Sequence, residues 1–217
     1  MFTGIIEAVG YIAAKQDKGG DVRLRIATGK LDLSDVKLGD SIATNGVCLT
    51  VVALNADGFW ADVSNETLRY SSLRQLSEGS AVNLEKAMLA SSRFGGHIVS
   101  GHIDGVADVV EITKDARSIQ IEISPPADLT KYIAHKGSIT IDGVSLTVNA
   151  LTARGFLLNI VPHSAEETII ADYKVGHVIN IEVDVISRYL EQLLRPEQAT
   201  VKSALSKEFL AENGFYR

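Results

Sequence analysis

The sequence is poor in cysteine, proline and long apolar runs. Of its 217 residues, one is cysteine, four are proline and 6% are aromatic. The single Cys48 can form no internal disulfide, which is typical of a protein from a reducing compartment. No run of about 18 apolar residues is present, so no membrane-spanning helix is predicted. Residues 1–7 lack the basic start and apolar core of a signal peptide. We therefore expect a cytoplasmic protein with no membrane partner.

Positive charge is also scarce. Lysine and arginine number 21 against 27 aspartates and glutamates, which gives a net charge of −6. Because phosphate binding depends mainly on cationic side chains, this balance argues against a nucleic-acid partner. Apolar residues (46%) and charged residues (22%) occur at ordinary globular levels, which excludes disorder and collagen-like structure. The composition indicates an enzyme or a small-molecule binder of one large or two small domains.

The chain contains an internal repeat. Residues 41–54 read SIATNGVCLTVVAL and residues 138–151 read SITIDGVSLTVNAL, with nine of 14 positions identical at a shift of 97. The same shift aligns Gly4 with Gly101 and Gly79 with Gly176, without gaps. A register kept over this length indicates two copies of one module. We expect one unit over 1–97, a second over 98–186 and a tail over 187–217.

Each copy has the pattern of β-structure. Residues 22–26 and 119–123 alternate apolar and polar side chains, the period of a strand buried on one face. Further β-rich runs are separated by glycine, aspartate and asparagine turn signals. About six strands in each copy, without a long helical pattern between them, are typical of a small closed barrel. The predicted fold is all-β: two tandem six-stranded antiparallel Greek-key barrels followed by a helical tail.

The tail has helical periodicity. Its apolar residues lie one, four, five, eight and nine positions after Val185, which places them on one helix face. They are Val185, Ile186, Tyr189, Leu190, Leu193 and Leu194. Pro196 is expected to end this helix, and a second helix is predicted over 201–210 with Asn213 and Gly214 as its stop. The apolar face either packs on its own barrel or meets other chains.

Several common catalytic and binding patterns are missing from the sequence. The histidines form no HExxH motif and pair with no Cys-x-x-Cys, so no metal site is predicted: His97, His102, His135, His163 and His177. Gly95 and Gly96 belong to no GxGxxG run or phosphate loop, and the GxSxG element of a serine hydrolase is absent. These observations leave nucleotide binding and serine hydrolysis without support.

Polar candidates occur at matching places in the two copies. Residues 48–50 match 145–147, and 62–67 match 159–164. Hydroxyl, amide and carboxylate groups there suit a polyhydroxylated ligand, although such residues also close turns. The copies differ where His102 matches Ile5, where Lys136 matches Gly39 and where Cys48 matches Ser145. This asymmetry suits a reaction in which two similar molecules play different roles, and drift after duplication is the alternative.

Four motifs carry a resemblance to a known family. MFTGII (1–6), NGVCLTV (45–51), FGGHIVSGHI (94–103) and DGVSLTV (142–148) closely resemble the riboflavin synthase, or lumazine-binding repeat, family. The resemblance covers about 1–190 and is weaker after Pro196. It implies a transferase that uses no metal and no organic cofactor. Two 6,7-dimethyl-8-ribityllumazine molecules would exchange a four-carbon unit and yield riboflavin and 5-amino-6-ribitylaminouracil.

The resemblance also implies an assembly and a set of site residues. Family members are homotrimers held by C-terminal helices, with a site between the N-terminal barrel of one chain and the C-terminal barrel of its neighbour. Some also associate with lumazine synthase. The implied catalytic residues are His102, Cys48, Ser41, His97, Lys136 and Asp184. The implied substrate contacts, two molecules to a site, add Gly4, Ile5, Ile6, Leu49, Thr50, Asp62, Val63, Ser64, Asn65, Glu66, Thr67, Gly101, Ile103, Ser145, Leu146, Thr147, Val161, Pro162, His163, Ser164, Ala165 and Glu166.

Within this set the implied roles differ. Thr50, Asp62, Ser64, Glu66 and Thr67 would hold one ribityl chain, and Thr147, His163 and Ser164 the other. His97 and His102 either transfer protons or orient their neighbours. Cys48 or Ser41 would add to one ring or position a water molecule.

Two rival functions belong to other classes. One is a non-catalytic lumazine-binding antenna protein, and the other is a flavin transport or sensing module. The first is disfavoured because the chain keeps the residues of the catalytic pattern, namely Cys48, Ser145, Thr147, His97 and His102. The second has no additional domain to support it.

Overall fold

The computed structural model describes residues 1–195 and 207–215, without the side chains of 207–209. The first six strands are β1 (Ala8–Asp17), β2 (Val22–Ala27), β3 (Ser41–Thr44), β4 (Val47–Asn55), β5 (Gly58–Val63) and β6 (Ala81–Lys86). The next six are β7 (Gly105–Asp115), β8 (Ser118–Ser124), β9 (Ser138–Ile141), β10 (Val144–Leu151), β11 (Phe156–Ile160) and β12 (Val178–Val183). The helices are α1 (Asn65–Tyr70), α2 (Pro162–Glu166), α3 (Val185–Leu194) and α4 (Lys207–Glu212).

The strands close into two antiparallel barrels with the same connectivity. The first follows the order β1-β2-β5-β4-β3-β6, and the second has the corresponding order β7-β8-β11-β10-β9-β12. Closure leaves each strand paired on both sides, which removes exposed sheet edges. The predicted pair of six-stranded barrels is confirmed.

Alternating side chains fill the two barrel interiors. In β2, Leu24 and Ile26 are 1% and 0% exposed, while Arg23 and Arg25, which alternate with them, form ion pairs on the outer surface. Phe59 in the first barrel and Phe156 in the second are both fully buried, and they are 97 residues apart. The period of two in the sequence therefore places equivalent side chains in equivalent cores.

Two tight hairpins meet where the barrels touch. Asn45 and Gly46 join β3 to β4 with φ of 46° and 78°, and Asp142 and Gly143 join β9 to β10 with φ of 42° and 85°. Positive φ at both central residues is the mark of a type I′ turn. A Cβ on Gly46 would lie 2.8 Å from the Gly143 backbone nitrogen. Glycine is therefore required for the close approach as well as for the turn.

Two fully buried asparagines link the barrels. Asn83 donates from Nδ2 to the backbone oxygen of Asp142 at 2.9 Å, and Asn180 donates to that of Asn45 at 2.8 Å. Each amide oxygen also accepts a backbone N–H from the other barrel, at 2.9 and 2.6 Å respectively. The contacts are related by the repeat, so the interface has an approximate twofold symmetry.

The leading segment of each copy lies against the other barrel. The backbone N–H of Ser145 donates to Gly4 O at 2.8 Å, and that of Cys48 donates to Gly101 O at 2.9 Å. Phe2, which is fully buried, bridges to Val99 in the connection between the barrels. Each copy of the repeat therefore supplies residues to the surface of the other.

A buried carboxylate holds each exchanged segment. Glu85 accepts the backbone N–H groups of Thr3 and Gly4 at 2.7 and 3.0 Å. Glu182 accepts the corresponding bonds from residues 100–101 at 2.7 and 3.0 Å. Burial raises the pKa of both carboxyls, and these hydrogen bonds oppose the shift.

The helix α3 attaches to the second barrel through polar side chains. Glu191 pairs with Lys131 and Tyr132, and Arg188 pairs with Asp104. Its predicted apolar face is exposed in the single chain, where Ile186 is 54%, Tyr189 68%, Leu190 52%, Leu193 80% and Leu194 79% accessible. The helix thus packs on its own barrel without burying its apolar face.

The second tail helix is described only in part. Residues 201–206 of the predicted segment 201–210 lie outside the described residues, and α4 covers Lys207–Glu212. Gly214, in the predicted stop, has a φ of 78°. Over the described ranges, no helix is both long and apolar enough to cross a membrane.

Candidate functional site

A cavity of about 280 Å³ opens on the first barrel. Three parts of the chain form its wall: the start of β4, the helix α1 and the segment that crosses from the second copy. The residues are Val47, Cys48, Glu66, Thr67, Tyr70, Ser71, Gly101, His102 and Ile103. Strands β7 to β12 contribute none of these residues, so this wall comes from one barrel and the exchanged segment.

The helix α1 is fixed by its first turn. Ser64 is the N-cap, and its hydroxyl accepts the backbone N–H of Thr67 at 3.1 Å. Glu66 lies in the first turn, where the helix dipole favours negative charge. Leu68 is 7% exposed and anchors the helix in the barrel core. Glu66 and Thr67 are thereby held at the cavity.

Cys48 and His102 reach the same cavity from different segments. Cys48 is half-buried, and its backbone pairs with Gly101. Gly101 has a φ of 80°, and a Cβ there would lie 2.7 Å from Cys48 Cβ. His102, which follows directly, is exposed in the single chain. A thiol and an imidazole are therefore available to one bound ligand.

The second barrel repeats this arrangement with other side chains. Ser145 stands at the start of β10 and pairs with Gly4, while Ile6 packs against the second core. Helix α2, with Pro162 at its first position and His163 and Ser164 in its first turn, corresponds to α1. The residues expected to hold two ligands thus divide between two equivalent surfaces.

His97 is clamped between two hydroxyls of the second barrel. It is 8% exposed. Its Nδ1 lies 2.7 Å from Ser145 Oγ, and its Nε2 lies 3.1 Å from Thr140 Oγ1. Burial lowers the pKa of His97, and Asp184 opposes that shift. The imidazole is therefore neutral near neutral pH.

Three other predicted catalytic residues lie elsewhere. Ser41 pairs with Thr50 in the β3–β4 ladder and lines a separate cavity of about 480 Å³, which also contains Ile5. Lys136 is exposed with a φ of 64°, an uncommon conformation for a residue other than glycine. Asp184 caps α3 through Ile186 N–H at 3.0 Å.

Some predicted ligand contacts have their side chains turned away from the cavity. Asp62 forms an ion pair with Arg23 at 2.6 Å on the barrel exterior, and this bond lowers the pKa of Asp62. Leu49 and Val63 are 3% and 1% exposed within the first core, and Ala165 is 7% exposed within the second.

The remaining predicted contacts stand on or near the surface. Asn65 donates its backbone N–H to Asp21 at 2.9 Å, and Leu146 is half-buried against the second core. The exposed side chains are Thr50, Thr147, Val161, Pro162, His163 and Glu166.

The sequence did not indicate Val47, Tyr70, Ser71 or Thr140, and Val47 lines the first cavity at the start of β4. Tyr70 and Ser71 line the first cavity, and Thr140 contacts His97. A signal was present for two of them, because Tyr70 matches Glu167 and Thr140 matches Ala43 across the repeat. Among the described residues, no group of three or more histidine, cysteine, aspartate or glutamate side chains could hold a metal ion.

Duplicated closed barrels with a small-molecule cavity beside an exchanged segment define a tandem-barrel binding protein. The lumazine binding domain family matches residues 3–87 and again 100–184. The chain belongs to this family.

Named relatives extend the similarity over nearly the whole chain. A riboflavin synthase of Photobacterium phosphoreum is 56% identical over 216 residues, 99% of each chain. Riboflavin synthase of Bacillus subtilis (strain 168) is 44% identical over 99% of this chain and all of its own. A crystal structure of LumP complexed with riboflavin has a TM-score of 0.78 and 28% identity, over 84% of this chain and 99% of LumP. LumP complexed with 6,7-dimethyl-8-(1'-D-ribityl) lumazine gives a TM-score of 0.76 and 28% identity over the same shares.

Proposed function

We propose that this protein is an enzyme that converts two molecules of 6,7-dimethyl-8-ribityllumazine into riboflavin and 5-amino-6-ribitylaminouracil. The observation that carries the proposal is the cavity in which Cys48, His102 and the α1 side chains meet, in a chain with two lumazine binding domains. The riboflavin synthases among its relatives, at 44–56% identity, support the same reaction.

The reaction is a transfer of a four-carbon unit between two identical molecules. One substrate loses the unit and becomes the pyrimidine product, and the other gains it and becomes riboflavin. The atoms of two substrates equal those of the two products, so the reaction balances without an oxidant or a reductant. Because a carbon unit is transferred, the enzyme is a transferase. Because two substrate molecules react with each other, two ligand surfaces must act together.

The main task of the protein is to position the two rings. The substrate ring is electron-poor, and loss of a proton from its 7-methyl group gives a delocalised anion. Holding two such rings face to face makes the bimolecular step a positioned one, an effect that reaches about 7–11 kcal/mol in favourable cases. Two copies of one barrel supply two similar surfaces for this purpose.

The side chains of the first cavity take the reactive roles. His102 transfers a proton, and Cys48 adds to a ring or holds the water molecule that does so. Glu66 and Thr67 bind ribityl hydroxyls. Thr50 on β4 and Ser64 at the N-cap of α1 contribute to the same binding. Arg23 donates to both oxygens of the Asp62 carboxylate, so this ion pair competes with a ligand for Asp62.

The second barrel holds the other substrate. Ser145, Thr147, His163 and Ser164 contact it, and His97 acts through Ser145. Lys136 and Asp184 complete the site from the same barrel.

We further propose that the two halves of one site come from neighbouring chains of a homotrimer. Two features support this assembly: the first cavity has no wall from β7 to β12, and the apolar face of α3 is exposed in the single chain. In this proposal residues 1–97 and 98–186 are the binding units, and 187–217 form the trimerisation tail. A cytoplasmic location, which the single cysteine favours, belongs to the same proposal. The proposal leaves open whether the trimer associates with lumazine synthase, as some family members do.

Purified protein mixed with 6,7-dimethyl-8-ribityllumazine tests the function. Riboflavin, measured by its absorbance, should appear at half the rate at which the substrate disappears. Binding with a spectral shift but without riboflavin would contradict the enzyme and favour a non-catalytic carrier or antenna. The same preparation in analytical ultracentrifugation should sediment as a trimer, and Leu190→Ser with Leu193→Ser should reduce it to monomers.

A further inference from the structure

Thr140 is a residue of the second barrel that the proposed reaction does not use. Thr140 lies in β9 and is 1% exposed. It is the direct ladder partner of Ser145 in β10. Their hydroxyls both reach His97, one at each ring nitrogen. Directly opposed residues of an antiparallel ladder project to the same face, so the two strands hold the imidazole from both sides.

Backbone hydrogen bonds also fix the position of His97. Its backbone N–H donates to Thr3 O at 3.1 Å, and the neighbouring Val99 and Phe2 exchange backbone hydrogen bonds of 2.8 and 3.1 Å. The ring is buried, and burial lowers its pKa. A neutral imidazole carries one proton, so one nitrogen donates and the other accepts.

Two proton arrangements are compatible with these contacts. In the first, Thr140 donates to Nε2, Nδ1–H donates to Ser145 Oγ, and the Ser145 proton is free for a ligand. In the second, Ser145 donates to Nδ1 and Nε2–H donates to Thr140 Oγ1. The Thr140 proton then needs another acceptor. Among the residues that the structure describes, His97 is the partner of that hydroxyl.

The burial of Thr140 decides between them. A hydroxyl proton without an acceptor is unfavourable where water is excluded. The second arrangement creates such a group at Thr140, whereas the first satisfies both contacts. Ser145 is half-buried at the ligand surface, so in the first arrangement its proton can be satisfied by a ligand.

We propose that Thr140 is a positioning residue that fixes His97 as the Nδ1–H tautomer and thereby makes Ser145 a hydrogen-bond donor to the ligand of the second barrel. In this role Ser145 donates to a carbonyl oxygen or ring nitrogen of the lumazine. It does not act as a nucleophile activated by His97. The effect on turnover rests on the proposed function, whereas the tautomer does not.

The first copy provides an internal contrast. Ala43 stands where Thr140 stands, and its ladder partner is Cys48. Ala43 has no hydroxyl and so cannot donate a hydrogen bond to an imidazole. Cys48 is accompanied by the exposed His102 instead. The tautomer clamp is therefore a property of the second barrel alone.

The direct test is nitrogen NMR on protein labelled with ¹⁵N at histidine, with His97→Gln used to assign the resonance. The proposal predicts that His97 Nδ1 is protonated and Nε2 is not. In Thr140→Val, which keeps the shape of the side chain, the Nε2 resonance should move because its donor is gone. Thr140→Ser should restore the resonance of the original protein. A protonated Nε2 in the unmodified protein would overturn the proposal.

Measurements of kcat distinguish a positioning role of Thr140 from a role in packing alone. Thr140→Val should lower kcat about tenfold, because a misplaced donor weakens alignment of the reacting rings, and Thr140→Ser should return kcat to within twofold. Thr44→Val is the matched control: Thr44 is also fully buried in a first-copy strand, and its hydroxyl has no hydrogen-bond partner among the described residues. Its kcat should be unchanged. Equal losses in Thr140→Val and Thr140→Ser would also overturn the proposal. If the unmodified protein forms no riboflavin, the proposed function fails while the NMR result still decides the tautomer.

Discussion

The two barrels share their framework and differ in their chemistry. Both have the same strand order, a type I′ hairpin at the contact between barrels, and a buried glutamate that holds the exchanged segment. Differences occur at the candidate ligand surfaces, where Cys48 of the first copy corresponds to Ser145 of the second and Ala43 corresponds to Thr140. The two copies therefore share the elements that close the barrels and hold the exchanged segments, and they differ in side chains proposed to contact ligands.

The contact between the barrels contains a second difference. A cavity of about 260 Å³ there is lined by Asn45, Asp142, Asp172 and His177 among others. Asn45 and Asp142 occupy the same place in the repeat, but only Asp142 is ionisable. Tyr173 donates to its Oδ2 at 2.5 Å. One half of this contact therefore responds to pH and the other half does not.

The largest expected effect is a loss of unfolding free energy when the asparagine contacts common to both copies are removed. Asn83→Ala and Asn180→Ala each leave a backbone oxygen and a backbone N–H of the other barrel buried without partners, which costs about 2–5 kcal/mol. Urea unfolding should give similar losses for the two variants. Asn149→Ala, whose exposed amide accepts one bond from Asn159, is the control and should lose under about 1 kcal/mol. A loss below that control in either asparagine variant would contradict the symmetry of the interface.

The next effect concerns the reactive groups that only the first cavity has. His102→Gln should lower kcat about 10²-fold, because proton transfer by a positioned side chain contributes this much or more. Cys48→Ser should also lower kcat, and fluorescence titration should show lumazine affinity changed by less than kcat in both. His177→Gln, in the cavity between the barrels, is the control. Equal losses of binding and turnover in His102→Gln would indicate a structural role.

The pH-dependent difference between Asn45 and Asp142 is smaller. Burial raises the pKa of Asp142 to about 7, so between about pH 4 and 7 the folded state binds a proton that the unfolded state has lost. The contribution of Asp142 to stability therefore falls as pH rises through this window, by up to about 1.4 kcal/mol per unit, and then levels off.

Asp142→Asn, which makes the two turns alike, should remove this slope. The difference in unfolding free energy between variant and original protein should be near zero at pH 4 and should increase toward pH 8 in favour of the variant. Asp172, Tyr173 and His177 are common to both proteins, so their titration cancels to first order. A pH-independent difference would refute the assignment of the slope to Asp142.

The smallest effect is expected on the outer face of the first barrel. Arg23→Met removes the partner of Asp62, but the pair is solvent-exposed, with side chains 39% and 50% accessible. Exposed ion pairs contribute about 0–1 kcal/mol, so thermal unfolding should change little. Lumazine affinity measured in parallel shows whether Asp62 takes part in binding. Tighter binding after its release from Arg23 would support that role, and unchanged binding would remove Asp62 from the ribityl site.

The sequence predicts the barrels well because period-two alternation and turn glycines are local signals. It also predicts α3, whose apolar spacing is helical whatever the helix contacts. The exchange of leading segments was not predictable, since the backbone pairing of Cys48 with Gly101 depends on tertiary contact. The same reason explains why Thr140 was missed: its role appears only when the ladder places it opposite Ser145. The ion pair of Asp62 was not predictable either, because the sequence alone does not show that Arg23 of β2 lies opposite Asp62 of β5.

Subunit complementation tests the central claim that unlike copies from neighbouring chains form one catalytic site. His102→Gln damages the first-barrel half and Ser145→Ala the second, so each variant alone should form little riboflavin. Co-expressed under separate tags and purified through both tags as mixed trimers, they should recover about a third of the original activity, since every mixed trimer joins two intact halves at one of its three sites. Activity no higher than that of the two variants measured separately would contradict a shared site and place each site within one chain.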